Sequence, residues 1–491
     1  MRRLGEFFTK LTQRFLPDPL ALACLLTLLV FAISLCWPHA QSVSEKSIGA
    51  RTVLLGGMWL DAIWNKGFLT FALQMCLVLL TGFGLAKAPL SQRVLKRIAS
   101  IPRTNRGAVM LIAAVSCVGC WINWGFGLIL AGVLASELRS QFERRNSTCQ
   151  YALIVAAAYA GMMIWHGGLS GSAPLKVASE GLTANIGTGD DLVAAEIAPI
   201  TIDRTLLGSR NLLLTAGMFV AIPIFFGLLA QPSGKGNPDE STVARSKLGE
   251  AEPTHDNVAD SPRTFASFIN ESPALPWLIG GLIFLGLFQQ VSEAHSIDTE
   301  AGWFNAIARS VNLNFVNSLC LAMGLVLHGN LMSYLRAVAS GGTAIVGIVI
   351  QFPLYSGIQG LMSGAGLAAA ISNEFVEASQ IAAEMFGVSV ESTFPLATLA
   401  SAGVVNFFVP SGGGQWIVQG PVMCGAAHEL GYSIERTVMA IAYGDQLTNM
   451  VQPFWAIPLM GMTKVNAREF MGYCALLMLV AIPIFGLAVV L

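Results

Sequence analysis

A proline, a serine and three consecutive glycines interrupt the apolar stretch VNFFVPSGGGQWIVQGP at 405–421. Proline stops a helix, the serine after it can cap the next one, and glycines let backbone N–H groups approach a ligand without a Cβ in the way. The positive N-terminal end of the restarted helix favours an anion. The stretch is therefore suited to holding a small anion, through Ser411, Gly412, Gly413 and Gly414.

Further polar side chains interrupt other apolar segments, in WINWGFG (121–127), HGGLSGS (166–172) and AYGDQLTNMVQ (442–452). The candidates for a binding site are Asn123, Trp124, Gly125, Ser170 and Ser172 in the first half of the chain, and Gln351, Tyr355, Asn406, Gln415, Gln419, Gln446, Asn449 and Gln452 in the second. These segments contain no lysine or arginine. An anion would therefore have to be held by backbone N–H groups, hydroxyls and side-chain amides.

Asp445 and His166 are the candidates for binding a coupling ion. An ionisable side chain within an apolar segment is costly, which makes Asp445 a functional candidate by default. It could bind a proton or, as a carboxylate beside backbone carbonyls, help to hold Na⁺. The alternatives are a capped or water-exposed aspartate near a helix break and a histidine packed in the core. We expect no cofactor and no metal centre, because no second Cys/His pair completes the C-x-x-C at Cys117 and Cys120.

The composition predicts that the segments carrying these residues lie in lipid. Of the 491 residues, 54% are hydrophobic and only 12% are charged, and the mean hydropathy is +0.63. Soluble domains carry roughly a quarter charged residues. The sequence therefore predicts an all-α polytopic membrane protein, with the bilayer as its surroundings. A formal net charge of -1 gives no indication of nucleic-acid binding.

Apolar runs long enough to cross a bilayer lie at 19–37, 68–86, 108–136, 151–175, 211–230, 275–292, 312–327, 341–370, 394–427, 437–460 and 471–491. Arginines accumulate on both sides of 108–136, at Arg106 and Arg139 among others, which predicts that both flanks, like the basic N-terminus, are cytoplasmic. A segment whose two ends lie on one side has not crossed. We therefore predict a re-entrant hairpin here.

The stretch at 394–427 is the predicted counterpart. No lysine or arginine occurs between Arg336 and Arg436, and acidic residues flank the stretch, so both of its ends are predicted to lie outside. Irregular backbone at membrane depth survives only where protein covers it or water reaches it. The total is about nine spanning helices and two hairpins.

The two halves of the chain resemble each other. AYAGMMIWHGGLSGSAPL (158–175) aligns without a gap with AYGDQLTNMVQPFWAIPL (442–459), and Asn123 and Asn406 each precede an aromatic residue. We predict two inverted membrane repeats, typical of secondary transporters. The predicted parts of the chain are a cytoplasmic N-terminal lead-in (1–18), a first repeat (19–230), a polar cytoplasmic linker (231–274), a connecting helix (275–292) and a second repeat (312–491).

Other function classes fit less well. The glycine run is not a phosphate loop, because no G-K-[ST] follows it. His166 and Ser170 are close enough in sequence to suggest an intramembrane serine hydrolase, but nothing else in the chain supplies a nucleophile elbow. We therefore expect a non-enzyme. A channel remains open as an alternative, as does a carrier of another small anion such as a dicarboxylate, although a second carboxylate would require an arginine.

Six stretches carry a family resemblance: LPDPLALA (16–23), CWINWGFGL (120–128), QFPLYSGIQGLM (351–362), NFFVPSGGGQWIVQGP (406–421), AYGDQLTNMVQPFWA (442–456) and MGYCALL (471–477). In these stretches the chain resembles the bacterial short-chain fatty acid transporters, which take up acetoacetate and butyrate. That family is similar to the ion-transporter superfamily, whose members pair two hairpins with two broken helices.

The resemblance implies uptake of a small monocarboxylate. Together with the single acid of the site, Asp445, it leads us to expect symport with H⁺ or Na⁺ in the bacterial inner membrane. It implies substrate contacts at Asn123, Asn406, 411–414 and 445–452. Superfamily members often dimerise and move a transport domain against a scaffold. The resemblance therefore also implies a homodimer with an elevator-type alternating-access mechanism.

Overall fold

The computed structural model describes residues 2–186, 193–231, 264–297 and 302–491, most of which are helical. The first half contains α1 (Arg2–Phe15), α2 (Pro19–Cys36), α3 (Gln41–Ser44), α4 (Ile48–Ile63), α5 (Lys66–Lys87), α6 (Pro89–Ser100), α7 (Asn105–Ile122), α8 (Trp124–Arg144), α9 (Tyr151–Tyr159), α10 (Ser172–Glu180), the antiparallel strands β1 (Leu182–Ile186) and β2 (Val193–Ile197), and α11 (Ser209–Leu229). The second half contains α12 (Phe265–Glu271), α13 (Ala274–Ile297), α14 (Gly302–Ser310), α15 (Leu313–His328), α16 (Leu331–Ala339), α17 (Val346–Gly364), α18 (Leu367–Phe386), α19 (Val390–Phe408), α20 (Gly412–Glu429), α21 (Ile434–Thr448), α22 (Pro453–Thr463) and α23 (Ala467–Val490).

The predicted all-α polytopic membrane fold is confirmed. Within the described residues, 7 helical segments are long and apolar enough to cross a membrane: α2, α5, α7, Tyr151–Ser179, α11, α13 and α23. The remaining predicted crossings fall on helices that are shorter, more polar or interrupted, namely α15, α17 and α21 with α22. Helices dominate because each one satisfies its own backbone N–H and C=O groups, and lipid offers those groups no partner.

Helices α7 and α8 form a tight hairpin. Arg145, just after α8, donates hydrogen bonds to the carbonyls of Ser100 (2.8 Å) and Pro102 (2.7 Å), just before α7. Near the tip, a Cβ built on Gly119 would lie 2.7 Å from Cα of Gly127, so the backbones of the two arms are in contact. The two ends of the segment therefore lie side by side, as the predicted hairpin requires. Its re-entry into a bilayer stays a prediction.

Helices α19 and α20 form the second hairpin. The ring of Phe394, in the first turns of α19, packs edge-on against Tyr432, which follows α20, with 5.5 Å between the ring centroids. At the other end, residues 409–411 connect the two helices in a short turn, and Ser411 caps α20 by accepting a hydrogen bond from the N–H of Gly414 at 3.2 Å. The glycine run is thus the first turn of a helix at a hairpin tip.

Each half also contains an interrupted helix. In the first half, α9 ends at two 3-10 turns, Ala160–Met163 and Trp165–Gly167, and α10 begins after a short gap. In the second half, α21 gives way to the 3-10 turn Asn449–Val451, and α22 begins at Pro453. Each half thus has the order hairpin, interrupted helix and final helix. That the two halves are related by inversion stays a prediction.

Some elements lie where none was predicted. Helices α4 and α18 and the β1–β2 hairpin occupy regions expected to be loops. Helix α4 has only 16 residues, and α18 carries exposed glutamates, so neither forms a long apolar run. The predicted linker at 231–274 falls mostly on residues 232–263, outside the described residues, and α12 lies in its last part.

We predict that Gly127→Ala destabilises the first hairpin. The new Cβ would lie 2.3 Å from the backbone nitrogen of Cys120 and 2.6 Å from the carbonyl carbon of Gly119, and backbone atoms cannot move aside cheaply. Overpacking of this kind costs about 1–3 kcal/mol. The readout is the thermal unfolding midpoint in detergent. The control is Gly217→Ala in α11, where a Cβ meets nothing within 4 Å. Equal midpoints for the two variants would show that the arms are not in close contact.

Candidate functional site

The two interrupted helices satisfy each other's backbone groups where they meet. The side-chain oxygen of Gln446 in α21 accepts hydrogen bonds from the N–H groups of His166 (3.0 Å) and Gly167 (3.3 Å). In the reverse direction, the hydroxyl of Tyr159 donates to the carbonyl of Asn449 at 2.7 Å. Because buried backbone groups without partners are costly, these bonds hold the two interruptions together as one unit.

The tip of the second hairpin is tied to the second interruption through Asn406. Its side-chain nitrogen lies within hydrogen-bonding distance of the carbonyl of Asp445 (2.8 Å), the hydroxyl of Thr448 (2.9 Å) and the side-chain oxygen of Asn449 (3.0 Å). The side chain of Gln452 donates to the carbonyl of Asn406 at 2.5 Å. Three of the predicted ligands, Asn406, Asn449 and Gln452, therefore build the frame that positions the tip.

Asp445 and His166, the predicted ion-coupling pair, are both fully buried at this meeting point. Oδ2 of Asp445 lies 3.5 Å from Nδ1 of His166. Oδ1 accepts a hydrogen bond from the side chain of Asn449 at 3.1 Å, whereas Oδ2 has no hydrogen-bond partner among the described residues. A buried carboxylate oxygen without a partner is costly, which makes Oδ2 a candidate for binding a proton, a cation or a water molecule.

The tautomer of His166 follows from its second ring nitrogen. The backbone N–H of Ala173, in the first turn of α10, donates to Nε2 of His166 at 3.1 Å. Nε2 is therefore an acceptor, and the ring proton of the neutral imidazole sits on Nδ1, facing Asp445. A doubly protonated ring would lose the bond from Ala173. His166 in this arrangement is neutral, so it does not neutralise the charge of an ionised Asp445.

The tip of the first hairpin docks on the first interruption. The side-chain oxygen of Asn123 caps α8 by accepting from the N–H groups of Gly125 (3.0 Å) and Phe126 (3.1 Å). Ser170 accepts a hydrogen bond from the N–H of Trp124 at 3.2 Å, and the ring of Trp124 lies 5.0 Å from that of Trp455. The structure thus brings Asn123, Trp124, Gly125 and Ser170 together, in contacts with one another, and their role as substrate ligands stays a prediction.

The other predicted ligands lie around these contacts. Gln415 donates to the carbonyl of Ala402 at 2.8 Å and Gln419 to the hydroxyl of Ser401 at 2.8 Å, so both amides join the arms of the second hairpin. The remaining three are Tyr355, whose ring packs 4.6 Å from that of Phe454, Gln351, which is buried one helical turn away in α17, and Ser172, the first residue of α10.

A cavity of about 530 Å³ lies beside the tip of the second hairpin. One wall comes from α4, α5 and α17, and the other from α10 and the first turns of α20. Of the predicted ligands, Ser411, Gly413 and Gly414 line it. Gln359 of α17 also lines it, and a Cβ on Gly414 would lie 2.4 Å from Nε2 of that side chain. A volume of this size is ordinary for a small-molecule site.

Lys176 is the lining residue that sequence reasoning missed. It lies in α10, and its Cε is 3.6 Å from the position that a Cβ on Gly413 would take. The expectation that no cation faces the tip is therefore wrong. The apolar run was taken to end at residue 175, which left Lys176 just outside it. A helix restarting after HGGLSGS places residue 176 one turn from its start, and that pattern could have indicated the lysine.

Comparison with known proteins gives consistent matches over the whole chain. Residues 1–491 match the family model described as "Short chain fatty acid transporter". Proteins named "Putative short-chain fatty acid transporter" from Haemophilus influenzae and Escherichia coli are each 34% identical to this chain, over 488 and 486 residues respectively. Both alignments cover 98% of this chain and 98% of the relative.

Two solved structures are similar to this chain at 14% identity. The YdaH transporter of Alcanivorax borkumensis aligns with a TM-score of 0.41, covering 96% of this chain and 98% of that one. The Neisseria gonorrhoeae protein MtrF, presented as one of a class of antimetabolite efflux pumps, aligns with a TM-score of 0.38, covering 98% of this chain and 97% of that one.

We predict that Gly412→Ala lowers the stability of the folded protein while Gly413→Ala leaves it unchanged. A Cβ on Gly412 would lie 2.8 Å from Cε1 of His166 and 3.1 Å from Oδ2 of Asp445, and the buried His166 ring cannot yield because it stacks on Trp165 at 4.3 Å. A Cβ on Gly413 would meet only the flexible end of Lys176, at 3.6 Å. The expected cost for Gly412→Ala is about 1–3 kcal/mol.

The measurement is the thermal unfolding midpoint of each purified variant. A lower midpoint for Gly412→Ala, with Gly413→Ala close to wild type, is the expected result. If both variants unfold at the wild-type temperature, the tip is not packed against His166 and Asp445.

Proposed function

The chain belongs to the short chain fatty acid transporter family, and from this premise we propose that it is a secondary carrier of short-chain monocarboxylates such as butyrate and acetoacetate. The proposed mechanism is symport with H⁺ or Na⁺. The observation that carries the proposal is the buried Asp445 carboxylate, which lies at the junction of two helix interruptions and faces a neutral His166. A carboxylate buried in this way is costly as an isolated charge, so it is suited to binding a proton or Na⁺.

The proposed substrate site is the cavity beside the tip of the second hairpin. The N–H groups at the start of α20 would face the carboxylate, since the first turn of a helix leaves its N–H groups without internal partners. Phe68, Phe71 and Ile417 line the same cavity and would contact the alkyl end of the acid. The predicted ligands outside the cavity would then position the tips, or reach the substrate in another conformation.

We propose that ion binding and substrate binding are coupled because the ion site and the substrate cavity lie at adjacent residues of the second hairpin tip. Gly412 lies beside Asp445, and Gly413, the next residue, lines the cavity. An ionised Asp445 would repel a bound carboxylate through a medium of low dielectric constant. Neutralising Asp445 with a proton or Na⁺ would remove that repulsion. Each ligand would therefore raise the affinity for the other, which is the linkage that symport requires.

In an elevator-type movement, one wall of the cavity would slide against the other. The hairpins and interrupted helices are bonded to one another, as between Gln446 and His166 and between Asn406 and Asp445. We propose that they move as one body against α4, α5 and α17, which form the opposite wall of the cavity. The protein would work as a homodimer in the bacterial inner membrane.

The proposed orientation places the N-terminus in the cytoplasm. Helix α1 carries Lys10 and Arg14, and α6 carries Arg93, Lys96 and Arg97. Basic residues near membrane segments accumulate on the cytoplasmic side.

The test is uptake of labelled butyrate and acetoacetate into proteoliposomes, with pH and Na⁺ gradients imposed separately. We expect saturable uptake driven by one of the two gradients. Asp445→Asn should abolish accumulation against a gradient, because a neutral amide cannot exchange a proton and holds Na⁺ weakly, while exchange of substrate across the membrane should persist. The control is Asp18→Asn, an exposed residue that caps α2 in either form.

Two outcomes would contradict the proposal. If folded wild-type protein takes up neither acid under any gradient, the proposed substrate is wrong. If Asp445→Asn accumulates substrate as the wild type does, the aspartate is not the coupling group. Exchange that is accelerated by substrate on the opposite side separates a carrier from a channel.

A further inference from the structure

We infer that Lys176 is the counter-ion for the carboxylate of the transported acid, an assignment that rests on the proposed function. Among the described residues that line the cavity, Lys176 is the one with a charged side chain. It is half-buried, and none of the ion pairs in the described part of the chain involves it. An ammonium beside a cavity and without an ion-pair partner favours binding of an anion.

A second source of positive potential lies at the same point. Cε of Lys176 is 3.6 Å from the Cβ position of Gly413, within the first turn of α20. Ser411 accepts from Gly414, so the N–H of Gly413 has no partner within the helix. The N-terminal end of the helix also carries a partial positive charge. A carboxylate at this point could accept from the ammonium with one oxygen and from the backbone with the other.

The rest of the lining limits the substrate to one negative charge. Its polar groups include Asn65, Gln359 and Ser411, which are uncharged, and its apolar groups include Phe68 and Phe71. A second carboxylate would be partly desolvated without a cation to pair with, which is costly. The cavity is therefore suited to a monocarboxylate and disfavours a dicarboxylate.

The same lysine explains how the ion site controls substrate binding. Asp445 and Lys176 flank the tip, the aspartate beside Gly412 and the lysine beside Gly413. While Asp445 is ionised, its negative charge cancels part of the potential that Lys176 produces at the cavity. Binding of a proton or Na⁺ at Asp445 restores that potential and allows the carboxylate to bind.

The competing role for Lys176 is that it snorkels, with its stem on apolar surface and its amino group in water. To separate the two roles, substrate exchange is measured in proteoliposomes with no ion gradient, for wild type, Lys176→Met and Lys176→Arg. The control is Lys66→Met, because Lys66 is an exposed cation next to the lining residues Asn65 and Gly67 but does not line the cavity. Inhibition by butyrate and by its neutral analogue butyramide is measured for each variant.

We expect Lys176→Met to raise the KM for butyrate about ten- to a hundredfold, the usual effect of losing a hydrogen bond to a charged group. Lys176→Arg should recover part of the loss, and Lys66→Met should behave as wild type. The wild type should be inhibited far better by butyrate than by butyramide, and this preference should largely disappear in Lys176→Met. A purely structural lysine would not change the preference.

The results distinguish this inference from the proposed function. If wild type exchanges butyrate and Lys176→Met keeps its KM and its preference for butyrate, the assignment of Lys176 is wrong and the carrier function stands. If wild type exchanges neither acid, the proposed function itself fails. Should Lys176→Met not fold, Lys176→Gln keeps a polar end at the cavity and gives the same comparison.

Discussion

Backbone N–H and C=O groups in the two helix interruptions have to find partners inside the protein, because lipid provides none. Gln446 accepts from the N–H groups of the first interruption, and Tyr159 donates to a carbonyl of the second. Neither interruption is fully satisfied alone. The hairpin tips and the buried acid depend on this mutual satisfaction, because residues within or beside the interruptions position them. One wall of the cavity depends on it as well, since the tip of the second hairpin forms part of that wall.

The site has two charged side chains, which lie on either side of the tip of the second hairpin. One buried carboxylate and one half-buried ammonium flank adjacent glycines at the start of α20. Water between the two side chains would screen their interaction. Asp445 is fully buried, so its charge is screened little and affects the electrostatic potential at the tip. Glycine at positions 412 and 413 lets Asp445 and Lys176 approach the backbone of the tip, since a Cβ there would lie 3.1 Å from Oδ2 of Asp445 and 3.6 Å from Cε of Lys176 respectively. The proposed ion site and the proposed anion site thus lie at adjacent residues of one tip.

Much of this architecture could be predicted from the sequence. Apolar runs and their breakers located both hairpins and both interruptions, since proline, glycine and polar residues are costly in a lipid-exposed helix. Most of the long helices end within a few residues of the predicted runs, although α8 continues to Arg144, beyond the predicted end at 136. Helix α4 could not be found in this way because it is short and carries Arg51 and Asp61, although it forms part of the cavity wall.

The sequence could not predict which partner each polar side chain contacts. An amide in an apolar segment indicates a polar contact but not its partner: Gln415 and Gln419 bond to the neighbouring arm, and Asn406 bonds to the next interruption. The assignment of these residues as ligands stays a prediction. Lys176 shows the opposite error, because it was excluded by a boundary drawn on hydropathy, whereas the restart of α10 brings it to the cavity.

The bond from Ala173 to His166 also has a mechanical consequence. Ala173 and Lys176 lie one turn apart on α10, so this bond ties the start of the helix that carries the lysine to a ring whose Nδ1 lies 3.5 Å from Oδ2 of Asp445. A side chain beside the buried acid thus helps to set the position of the helix that brings a lysine to the cavity.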